Sequence, residues 1–332
     1  MSRSAISRAM STTSTPEQSG PQRPVALIAG PTASGKSAVA VTLAQRIEAG
    51  GGKAVIINAD SAQVYADLAI VSARPTEQEM GGIEHRLFGA WDGSVACSAA
   101  RWAEVARAEI TRCHEEEMVP ILVGGTGMYI KVLLEGIAPI PEIDPEIREV
   151  VRAMPVETAY AALLIEDLER ATQLEPGDSQ RIARALEVKR STGVTLGDWQ
   201  LAKTGGIAEE IALFPLVLLP PREWLYERCD TRFTAMIKGG ALEEVEALLA
   251  RELSTDLPVM RAIGVPEIAS FVTKQSTREE MLEAGSQATR NYAKRQYTWF
   301  RRQTEPDWPR IATEIESDNI AIEDHFASLL SK

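Results

Sequence analysis

The sequence predicts an α/β fold: a parallel sheet flanked by helices, with an all-helical subdomain inserted between two of its strands. Three observations carry this. Short apolar strands alternate with helical segments from residue 25 to about residue 136, the pattern of βαβ units. From Ile147 to about Thr192 the chain then reads as helices alone. A new apolar strand follows within 206–221, so the helical block interrupts a sheet that continues after it.

The elements follow in order. Residues 1 to about 23 are rich in Ser, Thr and Pro without apolar periodicity and read as a disordered leader. Arg3 and Arg8, with no acid before Glu17, leave a transit peptide as the alternative. "VALIA" (25–29) is a continuous apolar run between Pro24 and Gly30 and reads as a buried strand. A helix follows from about Lys36 to Ala49, then a second strand, "KAVIINAD" (53–60), that ends on an acid. A helix from about Ser98 to Glu117 runs into a third strand, "VPILVGG" (119–125), and another helix begins near Thr126. Gly30, Asp60 and Thr126 thus each fall at the carboxyl end of a strand, where open α/β sheets bind their ligands. The turn-rich "GIAPIPEIDPE" (136–146) ends the alternation. The resulting organisation is a leader (1–23), a core in two pieces (24–139 and 204–310), a helical insertion (140–203) and a C-terminal tail (311–332).

Bulk properties narrow the class. A chain of 332 residues can bury a large core. No apolar run approaches the roughly eighteen residues of a membrane span, and no secretory signal is evident, so a cytoplasmic protein is expected, away from membranes. Cys97, Cys113 and Cys229 are odd in number and never spaced as CxxC, which disfavours a disulfide framework and a zinc site. His85, His114 and His325 have no ligand spacing either. The net charge of −12 argues against a protein that coats nucleic acid nonspecifically; a local basic groove remains compatible with it. No obligate interface is evident, and a monomer is expected.

The most specific motif is "GPTASGKS", Gly30, Pro31, Thr32, Ala33, Ser34, Gly35, Lys36 and Ser37. It matches the phosphate-binding loop of P-loop NTPase-like folds, with the required strand before it and helix after it. Its glycines let backbone N–H groups point at an anion, Lys36 adds a full charge, and Ser37 offers a hydroxyl to Mg²⁺. Such a loop recognises phosphates and says nothing about adenosine. The third strand ends "LVGGTG" without the carboxylate that a motor or switch NTPase places there. Asp60 closes the second strand instead, beside Ser61, Gln63 and Tyr65. An isolated Asp in that position is most often a cap; next to a phosphate loop it becomes a catalytic candidate.

Two further stretches stand out. "QATRNYAKRQYTWFRRQ" (287–303) holds Arg290, Lys294, Arg295, Arg301 and Arg302, interleaved with aromatics and free of acids. On a helix Arg290, Lys294, Tyr297 and Arg301 share one face, a candidate surface for RNA or pyrophosphate. "GDSQRIARALEVKRSTG" (177–193) places Gln180, Arg181 and Arg184 together on an amphipathic helix, where they can reach bases or phosphates.

With these blocks in order the chain resembles the tRNA dimethylallyltransferase (delta-2-isopentenylpyrophosphate transferase) family. The matching residues are "GPTASGKS" (30–37), "DSAQVY" (60–65), "LVGGTGMYIKVLLEG" (122–136), "DSQRIARALEV" (178–188), "RFTAMIKGGALEEV" (232–245) and "TRNYAKRQYTWFR" (289–301). The resemblance implies transfer of a dimethylallyl group from dimethylallyl diphosphate to N6 of the adenine just 3′ of the anticodon, in tRNAs reading codons that begin with U. It implies that residues 30–37 hold the donor diphosphate with Mg²⁺, that Asp60 is the general base, and that Lys36, Thr126 and Arg232 support the reacting end. It further implies tRNA contacts at Asp60, Ser61, Ala62, Gln63 and Thr126, at Arg148, and at Gln180, Arg181, Ile182, Ala183 and Arg184, with the insertion set against the anticodon stem-loop. Ser72-Ala73-Arg74-Pro75 stands where the family usually has Thr-x-Lys-Pro, and Val265 and Pro266 depart from its pattern after Gly264.

Three other functions share part of this evidence. A small-molecule kinase would use the same loop and turn over ATP. An adenylate isopentenyltransferase would share the donor pocket but prenylate free nucleotides, which leaves the long helical insertion unexplained. A noncatalytic tRNA-binding protein would need neither an intact loop nor Asp60.

Overall fold

The computed structural model describes residues 23–315 and 322–330; the expected leader, apart from Arg23, lies outside them. The chain runs β1 (Arg23–Ala29), α1 (Lys36–Ala49) and β2 (Ala54–Asn58). A short α2 (Glu77–Met80), opened by a Thr76/Glu79 capping box, leads to β3 (Glu84–Arg86). Then come α3 (Ala99–Glu115), β4 (Val119–Gly124) and α4 (Gly127–Glu135). Five helices follow: α5 (Pro145–Arg152), α6 (Val156–Glu166), α7 (Leu168–Thr172), α8 (Ser179–Thr192) and α9 (Leu196–Leu201). The chain returns through β5 (Ile211–Leu218), α10 (Arg222–Lys238), α11 (Ala241–Leu249), a 3-10 turn (Pro258–Arg261) and α12 (Val265–Val272). It closes with the long α13 (Arg278–Gln303), β6 (Arg310–Ile311) and α14 (Ile322–Leu330).

The strands form one parallel sheet in the order β3-β2-β4-β1-β5-β6. Both faces are covered, which is why the central strands read as unbroken apolar runs and not as alternations. Val25, Leu27, Val55 and Ile57 point into one core with α3, α4 and α10–α13; Ala26, Ile28, Ala54 and Ile56 point into the other with α1. The loops after β1, β2 and β4 emerge at the same edge of the sheet, and they carry Gly30, Asp60 and Thr126.

The five-helix block packs about its own centre, where Val151, Leu163, Ile182 and Leu186 are buried together. Its two ends meet: Ile137 and Thr204 exchange backbone hydrogen bonds, each of 3.0 Å, and Lys203 pairs with Glu135 beside them at 2.5 Å.

The structure adds α2, β3, β6 and α14 to the elements expected from sequence. β3 reads Glu-His-Arg and β6 spans two residues; neither is long or apolar enough to show a strand pattern. The segment set apart as a tail, 311–332, is corrected by these elements. Ile311 pairs with Leu218 in the sheet, and Ile322, Phe326 and Leu329 are buried with Val39, Leu43 and Ile47 of α1. The apolar face of α14 has no shelter of its own, so it completes the core on that side of the sheet. No helix among the described residues is long and apolar enough to cross a membrane. All three cysteines are free and buried.

Candidate active site

β1 leads directly into the phosphate loop. Gly35 caps α1 at a left-handed φ of 89°, with no side-chain acceptor on the first helical turn. The amides of that turn are therefore available to an anion. Ala33 is also left-handed (φ 61°), a conformation unusual for a residue with a Cβ; its carbonyl accepts from Arg228 Nε at 2.9 Å. Ser34 Oγ is buried without a hydrogen-bond partner among the described residues, a hydroxyl whose pairing a phosphate oxygen would complete. Lys36 Nζ donates to Pro31 O at 2.6 Å. Burial pushes the Lys36 ammonium down to about 8, opposed by the Asp60 carboxylate and reinforced by Arg232.

The acceptor side is built on buried Asn58. Its Oδ1 accepts from Asp60 N (2.9 Å), while its Nδ2 donates to Asp60 O (3.1 Å) and Leu87 O (3.2 Å). Asp60 Oδ1 in turn accepts from Ala62 N at 2.9 Å. That cap holds one oxygen of the Asp60 carboxylate. Thr126 Oγ1 accepts from Ser61 N at 2.9 Å and donates to Ser61 Oγ at 3.1 Å, tying the turns after β4 and β2 together. Gln63 Nε2 donates to Ser72 O and Ala73 O at 3.1 and 2.8 Å.

Later elements cover both sides. Arg232, on α10, donates to Thr32 Oγ1 and Ala73 O, both at 3.4 Å, and burial lowers its pKa. On α13 the Tyr292 phenol lies beside Thr126 and Ser61; burial, followed by the Asp60 charge, pushes its pKa up to about 12. Glu244, on α11, accepts from the amides of Ala69, Ile70 and Val71 at 2.6, 2.8 and 2.8 Å, which fixes the loop carrying Ser72 and Ala73. Gln296, on α13, accepts from Thr32 N at 2.7 Å and donates to Gly125 O at 2.8 Å. None of these contacts is visible in sequence spacing except as an i, i+4 relation between Tyr292 and Gln296.

Lys36, Ser37, Asp60, Gln63 and Arg232 line a single cleft of about 1330 Å³. Thr126 is not part of its wall and reaches Asp60 through Ser61. No group of three His, Cys, Asp or Glu among the described residues is arranged to hold a metal. This donor set suits Mg²⁺, which keeps waters and takes few protein ligands plus substrate phosphates; Ser37 and Asp60 are among the oxygen-bearing side chains that line the cleft.

The residues assigned to RNA divide by exposure. Arg148, Gln180 and Arg181 are exposed, Ala183 and Arg184 half-buried. Ile182 is fully buried in the centre of the insertion, so the expected tRNA contact at this position is corrected as far as its side chain goes: an amphipathic helix turns one residue in every three or four inward. Arg181 pairs with Asp178 at 3.3 Å, and Arg184 approaches the buried Glu187 at 3.8 Å. The basic stripe expected on α13 is also corrected. Arg290 pairs with Asp230 at 2.5 Å, and Tyr297 packs inward with Arg222 4.9 Å above its ring. Lys294, Arg295, Arg301 and Arg302 are the exposed cations there.

Residues 63–303 match the family model described as IPP transferase. The chain belongs to the IPP transferase family. Among relatives in this family, the tRNA dimethylallyltransferase of Erythrobacter litoralis is 61% identical over 299 residues, 90% of this chain and 94% of that one. That of Sphingopyxis alaskensis is 60% identical over 303 residues, 91% and 97% of the two chains. Of solved family structures, the full-length tRNA isopentenylpyrophosphate transferase of Bacillus halodurans superposes with a TM-score of 0.67 at 30% identity, covering 94% of this chain and 97% of that one. A eukaryotic dimethylallyltransferase described as acting on tRNA gives a TM-score of 0.78 at 26% identity, covering 92% and 78%. The family match begins at Gln63, so the phosphate loop and Asp60 stand on the site geometry described above.

Proposed function

We propose that this chain is a tRNA dimethylallyltransferase, which moves a dimethylallyl group from dimethylallyl diphosphate to N6 of the adenine just 3′ of the anticodon, in tRNAs reading codons that begin with U. The observation that carries it is the single cleft shared by a phosphate loop and the Asp60 carboxylate. A diphosphate held by the one presents its esterified carbon to an amine beside the other. The names of the 60–61% identical relatives supply the chemistry to which that arrangement is matched.

In the proposed step the N6–C1 bond forms as the C1–O bond to diphosphate breaks, and the N6 proton passes to Asp60 Oδ2. The loop amides, Lys36 and Arg232 stabilise the negative charge that grows on the leaving diphosphate. Ser37, with the diphosphate itself, would hold Mg²⁺, which would supply Lewis-acid stabilisation of that charge. Thr126 and Ser61 keep the Asp60 turn in place. A stacked adenine cannot enter the cleft, so the target base is flipped out of the anticodon loop. The exposed Arg148, Gln180 and Arg181 of the insertion are the proposed contacts to that loop. We place the reaction in the cytoplasm and the enzyme as a monomer.

The test is transfer of label from dimethylallyl diphosphate with Mg²⁺ to unmodified tRNA, to AMP and to buffer, with Asp60→Ala in parallel. Label in tRNA alone, reduced on the order of a hundredfold by the substitution, is the expected result. Label in AMP would move the protein to free-nucleotide prenylation. ATP consumption without label transfer would make it a kinase.

A further inference from the structure

Gln296 is a buried polar residue that touches both halves of the site. It is 6% exposed, on the inner face of α13. Its two partners, Thr32 N and Gly125 O, belong to the turns after β1 and β4. Thr32 lies in the phosphate loop, and Gly125 immediately precedes Thr126, whose hydroxyl holds the Asp60 turn through Ser61. An amide fits this position because one end must accept from an N–H and the other must donate to a carbonyl. The local backbone is shaped around it: a Cβ on Gly125 would stand 2.2 Å from Gln296 Nε2. One helical turn earlier, Tyr292 lies beside Ser61 and Thr126, so α13 borders the acceptor turn along its length while Gln296 bonds it and the donor loop.

We propose that Gln296 is a positioning residue: it clamps the phosphate loop to the Thr126 turn and so sets the distance between the donor carbon and the amine whose proton Asp60 takes. The inference rests on the transfer reaction proposed above. Gln296 touches neither substrate, and its loss acts on the approach of the two reactants more than on the binding of either. A misplacement of about 1 Å at a reacting centre costs on the order of a hundredfold in rate.

The experiment compares wild type with Gln296→Met, which fills the space without the hydrogen bonds, and Gln296→Glu, which keeps an acceptor for Thr32 N but sets an oxygen against Gly125 O. For each, kcat, the KM for dimethylallyl diphosphate, the Kd for tRNA and the hydrogen-exchange rate of the Thr32 amide are measured. The expected result is kcat lowered by about thirty- to a hundredfold in Gln296→Met, with KM and Kd within about threefold of wild type and faster exchange at Thr32. If Gln296→Met does not fold, Gln296→Glu carries the same expectation for kcat, KM and Kd. A kcat within threefold of wild type in the variants that fold would overturn the proposal, as would a raised KM at unchanged kcat, which would make Gln296 a donor-binding residue. If wild type itself transfers no label to tRNA, the reaction assignment fails; unchanged Thr32 exchange in Gln296→Met would then overturn the clamp, and faster exchange would sustain it.

Discussion

Lys36 Nζ lies 2.6 Å from Pro31 O, in a wall shared with Asp60 and Arg232. Its burial has a kinetic consequence. In the free protein the ammonium loses its proton near pH 8, well below the ordinary lysine value of 10.5. The charged form is the one that attracts a diphosphate, so donor capture is intact below that pH and weakens above it. We expect kcat/KM for dimethylallyl diphosphate to be level below about pH 7.5 and to fall by about tenfold per unit well above pH 8. The bound diphosphate favours the ammonium, so kcat should hold to higher pH than kcat/KM. A profile measured from pH 6.5 to 9.5 checks this, and a level kcat/KM across that range would show that Lys36 does not govern donor capture. Asn58 shows the opposite limit of what one residue reveals in sequence. It lies two residues before Asp60 and looks like strand filler, yet its side chain pins the backbone on both sides of that acid.

α8 carries two kinds of arginine among the proposed RNA contacts. Arg181 is exposed and makes only an i, i+3 pair with Asp178, which screens readily and contributes little to stability. Arg184 leans on Glu187, whose side chain is 2% exposed and which also accepts from Arg152 at 2.8 Å. Removing Arg184 therefore mixes a binding effect with the cost of an under-paired buried carboxylate. The cleaner test is Arg148→Ala with Arg181→Ala, both exposed residues on α5 and α8. The double variant should bind tRNA about tenfold more weakly at low salt, and its log Kd against log salt slope should fall by about two. Binding titrations at several salt concentrations read both numbers. An unaltered tRNA Kd with a changed donor KM would place the RNA contact elsewhere. The amphipathic pattern of α8 was legible in the sequence, and so was its cationic character. Which arginines face solvent depends on how α5 and α6 pack against it, and no spacing along one helix contains that.

The sheet joins distant parts of the chain into one site. β1 and β5 are neighbours although nearly two hundred residues separate them, and α13 returns from the far end of the sequence to touch the loops after β1 and β4. At this scale α14 matters as well. Phe326 is fully buried against the core that supports α1, the helix whose first turn bears Lys36 and Ser37. Phe326→Ala should lower the unfolding free energy by about 3–5 kcal/mol, read from the urea midpoint with an unchanged slope. A loss below about 0.5 kcal/mol would mean that α14 does not belong to the cooperative fold.

The sequence by itself determined the α/β class, the helical interruption and the phosphate loop, because these are written in local order: apolar runs, turn residues, and a motif whose function needs its residues adjacent. It also singled out Asp60 and Thr126 as strand-end residues beside that loop. Only the tertiary structure decided that Gln296, Glu244 and Asn58 hold the loops of the site in place with Tyr292 packed beside them, that Ile182 and Tyr297 face inward, and that residues beyond 310 complete the sheet and its core. The physical reason is that helical periodicity tells which residues share a face but not what that face meets, and buried hydrogen bonds are made with whichever loop the fold brings alongside.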